Sequence, residues 1–135
     1  MARIDIVREV QLPAEDAWRR LTDWPRHGDL VPFTRVRTTP VGFVARTGIG
    51  RLGFDDPMEL VAQDAPRYCR LEKRGKVMRG WAALSVEEIS HGRSRVTWAE
   101  EITVRGLPRS LDGLTAFASR LLFGRVVDGL LDLRH

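Results

Sequence analysis

Residues 77–103, VMRGWAALSVEEISHGRSRVTWAEEIT, decide the fold: two β-patterned segments joined by a turn at Ser90-His91-Gly92. In the second segment the even positions read Val96, Trp98, Glu100 and Ile102, and the odd ones Arg95, Thr97, Ala99, Glu101 and Thr103. A period of two is the mark of a strand with one buried face. Upstream, residues 34–39, 41–52, 57–63 and 67–74 are also strand-like. They are punctuated by Pro40-Val41-Gly42, Asp55-Asp56-Pro57, Asp64-Ala65-Pro66 and Gly75-Lys76, all chemically suited to turns, so the strands form an antiparallel meander.

The two ends of the chain complete the pattern. Residues 3–12 alternate, with Ile4, Ile6, Val10 and Leu12 on one face and Arg8 interrupting it. Pro13 then opens a helix with Glu15 and Asp16 near its positive end, which stops before Pro25. The segment WPRHGDLVPF, residues 24–33, is too rich in Pro and Gly for a long helix and reads as a helical turn between loops. After Pro108, Leu111, Leu114, Phe117, Leu121, Leu122, Val126 and Leu130 recur at helical spacing. The expected fold is α+β: a seven-stranded curved antiparallel sheet wrapped around one long C-terminal helix, with two short helices after strand one (β-α-α-β6-α). A sheet curved in this way leaves a hollow core.

At 135 residues, with 43% hydrophobic and 30% charged side chains, the chain is expected to be a single domain over residues 1–135. No apolar run suits a signal peptide or a membrane span, so a soluble cytoplasmic protein without integral membrane association is expected. The lone Cys69 excludes an internal disulfide, and His27, His91 and His135 lack the spacing of a zinc motif. Neither a metal nor a cofactor is expected. The net charge of +4 raises the question of nucleic acid, but the arginines run from Arg3 to Arg134 interleaved with acids, and Lys occurs only at Lys73 and Lys76. That is a solvated mixed-charge surface, and no nucleic-acid partner is read from it.

Candidate site residues come from polar breaks and aromatic positions on the inner faces. Glu100 points inward between Trp98 and Ile102, where a carboxyl must be paired, hydrogen-bonded or protonated. Arg8 breaks the face of strand one in the same way, and an Arg8–Glu100 ion pair is expected if the first and last strands are neighbours. Trp98 and Trp81 could flank the cavity, although Met78, Ala82, Leu84 and Val86 form the cleaner apolar face of their strand and would put Trp81 outside. Met58, Leu60 and Cys69 are expected on the opposite part of the sheet, with Leu114, Phe117 and Leu121 as the inner stripe of the closing helix. Phe33 ends the rim loop, residues 25–33, that would gate the cavity. Glu100 and His27 are the candidate acid-base groups, His27 from a setting that reads as an exposed loop or a helix-end hydrogen bond. Cys69 has no His or Asn context for a nucleophile.

The order of elements, with GWAALSV and SRVTWAEE strands ahead of a Leu-rich terminal helix, resembles the START-related helix-grip superfamily. It is similar in particular to bacterial polyketide cyclase/dehydratase-like and lipid-transport-like members, and the resemblance runs nearly the whole length. It implies a cavity that holds a small hydrophobic molecule such as a lipid, polyketide or aromatic metabolite. It also implies an alternative, an aromatase/cyclase or dehydratase using a cavity acid-base residue; apart from the resemblance, a third reading is a domain filled by its own Trp, Phe and Leu side chains that acts through protein contacts, for example as a homodimer.

Overall fold

The computed structural model describes residues 2–132. Strand β1 (Ala2–Val10) buries Ala2, Ile4, Ile6 and Val10 and turns Arg3, Asp5, Val7 and Glu9 to solvent, a strict period of two. Two short helices follow, α1 (Ala14–Leu21) and α2 (Trp24–Asp29). The chain then runs through β2 (Thr34–Thr39), β3 (Gly42–Ile49), β4 (Leu52–Asp64), β5 (Tyr68–Arg74), β6 (Met78–Ser90) and β7 (Arg93–Val104). A 3-10 turn at Arg109–Leu111 leads into α3 (Asp112–Leu130). The strand order is β1-β7-β6-β5-β4-β3-β2, every pair antiparallel, so the first and last strands are neighbours and the helices lie against one curved sheet. This is the expected helix-grip architecture.

One punctuation mark fell elsewhere. The turn between β3 and β4 is at Gly50-Arg51, where Ile49 faces Leu52 and Gly50 has φ of +60°. Asp55-Asp56-Pro57 lies inside β4, with Pro57 opposite Val44. The alternation of Phe54, Asp56 and Met58 runs straight through this triplet, and it places Asp56 on the inner face.

Helix α3 is held by charge at its C-terminal end. The Arg20 guanidinium donates to the Leu131 carbonyl at 3.2 Å, and Arg26 donates to Leu130 at 3.3 Å and Gly129 at 3.2 Å, satisfying carbonyls that the helix leaves unpaired at its negative end. Arg8 reaches Asp128 in the same region, Nε to Oδ1 at 2.7 Å. These contacts fix the rotation of the helix. Val126, Val127 and Leu130 are buried, whereas Leu114, Phe117 and Leu121, expected on the inner stripe, are 65%, 58% and 52% exposed. The helix is apolar on nearly every side, so spacing alone could not select the buried face.

Candidate functional site: a cavity with a charged wall

A cavity of about 250 Å³ lies between the concave face of the sheet and α3. Phe43, Met58, Trp98 and Ile102 line it from the sheet, and Leu122 and Phe123 from the helix. Two aromatic pairs stiffen this region: Trp98 stacks with Phe123, centroids 6.3 Å apart and planes 17° off parallel, and Phe43 stacks with Trp24 at 5.0 Å.

Three charged side chains converge on this cavity from inward positions of β4, β5 and β7. Lys73 Nζ sits 2.7 Å from Asp56 Oδ2 and 3.5 Å from Glu100 Oε1. The Lys73 and Glu100 side chains are 2% and 1% exposed, so one cation faces two carboxyl groups away from water. Burial pushes the Glu100 carboxyl above the usual carboxylate range, against the opposing pull of Lys73 and of the Trp98 indole, whose Nε1 lies 3.5 Å from Oε2. For Lys73, burial pulls the ammonium down, but Glu100 and Asp56 together outweigh it and hold the group above the ordinary lysine value. Asp56 Oδ1 is buried without a hydrogen-bond partner among the described residues.

His27 forms another polar part of the wall. It is buried, which rules out the exposed loop and leaves the other expectation, a helix-end hydrogen bond, here to Leu21 at the end of α1; the burial follows because α2 lies hard against β2. A Cβ on Gly28 would come within 3.0 Å of the Val36 backbone nitrogen, so glycine allows the approach that sets the neighbouring ring over the cavity. His27 Nε2 lies 2.8 Å from the Leu21 carbonyl oxygen, which can only accept, so Nε2 carries the proton. Burial lowers its pKa below the usual 6.5, offset in part by the Leu21 bond and by Asp23, and the neutral ring keeps Nδ1 as an acceptor. The ring also packs against Trp24 at 5.2 Å and Trp98 at 5.8 Å.

Of the residues singled out from the sequence, Met58, Trp98, Glu100 and His27 are on the cavity wall. Arg8 is not, and the expected Arg8–Glu100 pair does not form: Glu100 faces Ile4 across the β1–β7 ladder, while Arg8 faces Val96. Four residues of register separate them, and each takes another partner. Trp81 is on the outer face, where its indole donates to Glu101 Oε2 at 2.9 Å and the guanidinium of Arg70 lies 4.6 Å from the ring centroid. Phe33 is 68% exposed, in a left-handed backbone conformation with φ of 58°. Cys69 belongs to the packed core, where burial pushes its thiol up to about 11, and Leu60 is partly buried against that core. His135 lies outside the described residues.

Lys73 and Asp56 were missed. The signal for Lys73 was present: it shares parity with Cys69 and Leu71, which β5 buries. Asp56 was hidden by the Asp-Asp-Pro triplet, which has the composition of a turn.

Residues 1–134 match the family described as polyketide cyclase / dehydrase and lipid transport. The chain belongs to this family. Among solved structures, this family member is similar to a START superfamily protein from Mycobacterium smegmatis, with TM-score 0.77, 10% identity and coverage of 98% of each chain. It is also similar to a conserved protein from Geobacillus kaustophilus, with TM-score 0.70, 14% identity and coverage of 98% of this chain and 97% of the other. A third is the Zhui aromatase/cyclase from Streptomyces sp. R1128, with TM-score 0.63, 16% identity and coverage of 97% and 88%. At these identities the likeness is one of fold. A search of the curated proteins finds no match.

Proposed function

We propose that this polyketide cyclase / dehydrase and lipid transport family member binds a small, largely apolar molecule in the cavity between the sheet and α3. The observation that carries this reading is a cavity of about 250 Å³ with mainly apolar and aromatic walls and one charged cluster. A cavity of about 150 Å³ is enough to hold benzene, so this volume suits a body of one or two rings more than an extended lipid chain. Flat walls at Trp98 and Phe123 suit a ring, and burial of apolar ligand surface at about 25 cal/mol per Å² supplies the affinity. Because Asp56 already balances Lys73 and the Glu100 carboxyl is held toward its protonated form, the cluster favours a neutral polar group over a carboxylate. Mass spectrometry of the freshly purified protein, native and then denatured, tests the reading. A specific small mass that is released on denaturation, and is absent from a variant that fills the cavity by Ala45→Trp at a lining position of β3, is the expected result. No retained mass, together with no binding of one- and two-ring aromatic probes, overturns it.

A second reading, acid-base turnover of the cyclase or dehydratase kind, is favoured by one specific observation: the same cavity is lined by His27, with an acceptor nitrogen, and by Glu100, whose carboxyl is held toward its protonated form. Chemistry that needs one proton donor and one acceptor has both here. Turnover of a poly-β-ketone probe that vanishes in both Glu100→Gln and His27→Gln, with probe binding retained, separates the enzyme from the carrier.

A further inference from the structure

We propose that one end of the molecule docks onto an anionic lipid surface. The antiparallel order brings four connections to the same end of the sheet: the lead into β2, the β3–β4 turn, the β5–β6 connection and the segment from β7 to α3. At this end Phe33, Ile49, Leu52, Leu107 and Leu111 are 68%, 65%, 82%, 46% and 37% exposed, and Leu114 in the first turn of α3 is 65% exposed. Nothing in a water-soluble fold requires six large apolar side chains to protrude together. The Gly48 amide donates to the Phe33 carbonyl at 2.9 Å, which ties the backbone at Phe33 to the end of β3 next to Ile49.

The charges on this rim are predominantly positive, with Asp112 the one carboxylate among the described residues that line its two hollows. Lys76, Arg79 and Arg105 line a surface hollow with Val77 and Thr103, and Arg109 lines the adjoining one with Leu107. None of these four cations forms an ion pair among the described residues. At the opposite end, by contrast, Arg93 and Arg95 are paired with Glu9, and Arg67 with Asp64. Unpaired cations beside protruding apolar tips are the complement of a negatively charged interface with an apolar interior. Two copies of the same rim would bring like charges together, which argues against self-association. The six apolar side chains come from three separate segments, Phe33 ahead of β2, Ile49 and Leu52 at the β3–β4 turn, and Leu107, Leu111 and Leu114 between β7 and α3, which suits a deformable surface better than a fitted protein partner. The contact is peripheral, since no helix among the described residues is long and apolar enough to cross a membrane.

The rim also adjoins the cavity. Thr103 lines both surface hollows, and Ile102 lines both the Leu107 hollow and the cavity. Docking at this end therefore places the cavity's near side against the lipid surface, whatever the cavity holds.

Flotation of the purified protein with phosphatidylcholine vesicles, with and without phosphatidylglycerol, tests the proposal. The expected result is binding to the phosphatidylglycerol vesicles that weakens with added salt and falls about fivefold for each cation reversed, as in Lys76→Glu or Arg105→Glu. Ile49→Asp with Leu52→Asp should lower binding at least tenfold, while Val41→Asp at the other end should leave it unchanged; melting temperature confirms that each variant is folded. Absence of binding to phosphatidylglycerol vesicles overturns the proposal. So does binding that the charge reversals abolish and the apolar changes leave intact, because that result points to a soluble polyanion or an acidic protein instead.

Discussion

Charge interrupts the buried face of the sheet in two places, and the two are resolved differently. Arg8, on the edge strand, turns to Asp128 near the C-terminal end of α3; its side chain stays 34% exposed and the pair ties helix to sheet. Lys73 and Glu100, on interior strands, have no route to water and must satisfy each other together with Asp56. A charge at the periphery of the fold fastens elements, while a charge in its hollow sets the character of the cavity. The edge pair is a weak interaction in a wet setting, and the interior cluster is a strong one in a dry setting.

The largest effect should come from breaking the interior cluster. Lys73→Met leaves two buried carboxyl groups without a cation and should cost about 3–5 kcal/mol in chemical denaturation. Combining it with Glu100→Gln should recover little of that loss, because Glu100 is already held toward its protonated form and Asp56 is the charge left without a partner. Asp128→Asn should cost within about 1 kcal/mol, and it should leave retention of any cavity ligand unchanged. Equal losses for Lys73→Met and Asp128→Asn would erase the distinction between the two places.

Stability as a function of pH sharpens the comparison with a smaller signal. Because the folded pKa of Glu100 is raised, the folded state holds a proton that the unfolded chain releases, so this group's contribution is full below about pH 4.5 and is lost as pH rises toward the folded value. His27 runs the other way: its folded pKa is lowered, so its contribution is present above about pH 6.5 and is lost as pH falls through the folded value. Denaturation midpoints across pH 4.5–7 should therefore lose the falling component in Glu100→Gln and the acid-side loss in His27→Gln.

Much of the architecture was legible because alternation is a local property. The parity of Val96, Trp98, Glu100 and Ile102 settled which side of β7 is buried without knowledge of any other strand. The two inner-face breaks, Arg8 and Glu100, were visible for the same reason. Their partners were not, because pairing depends on register across the sheet and on the helix behind it, and four residues of offset separated Arg8 from Glu100. The face of α3 was hidden by an excess of the very signal used to find it: apolar residues stand on the outward side at Leu114, Phe117 and Leu121 and on the inward side at Leu122, Phe123 and Val126. The candidate site was thus half legible, with its aromatic wall and Glu100 in view and Lys73 and Asp56 hidden by their own surroundings.

Cys69 gives the molecule an internal clock. It is the only cysteine, it is buried in the interior strand β5, and with its thiol pushed up to about 11 only about one in ten thousand is ionised at pH 7. An alkylating reagent in the surrounding solution therefore has to wait for the sheet to part at β5. Its rate of modification, compared with that of the unfolded chain, times how often the middle of the sheet opens, at a single known position and without any added label.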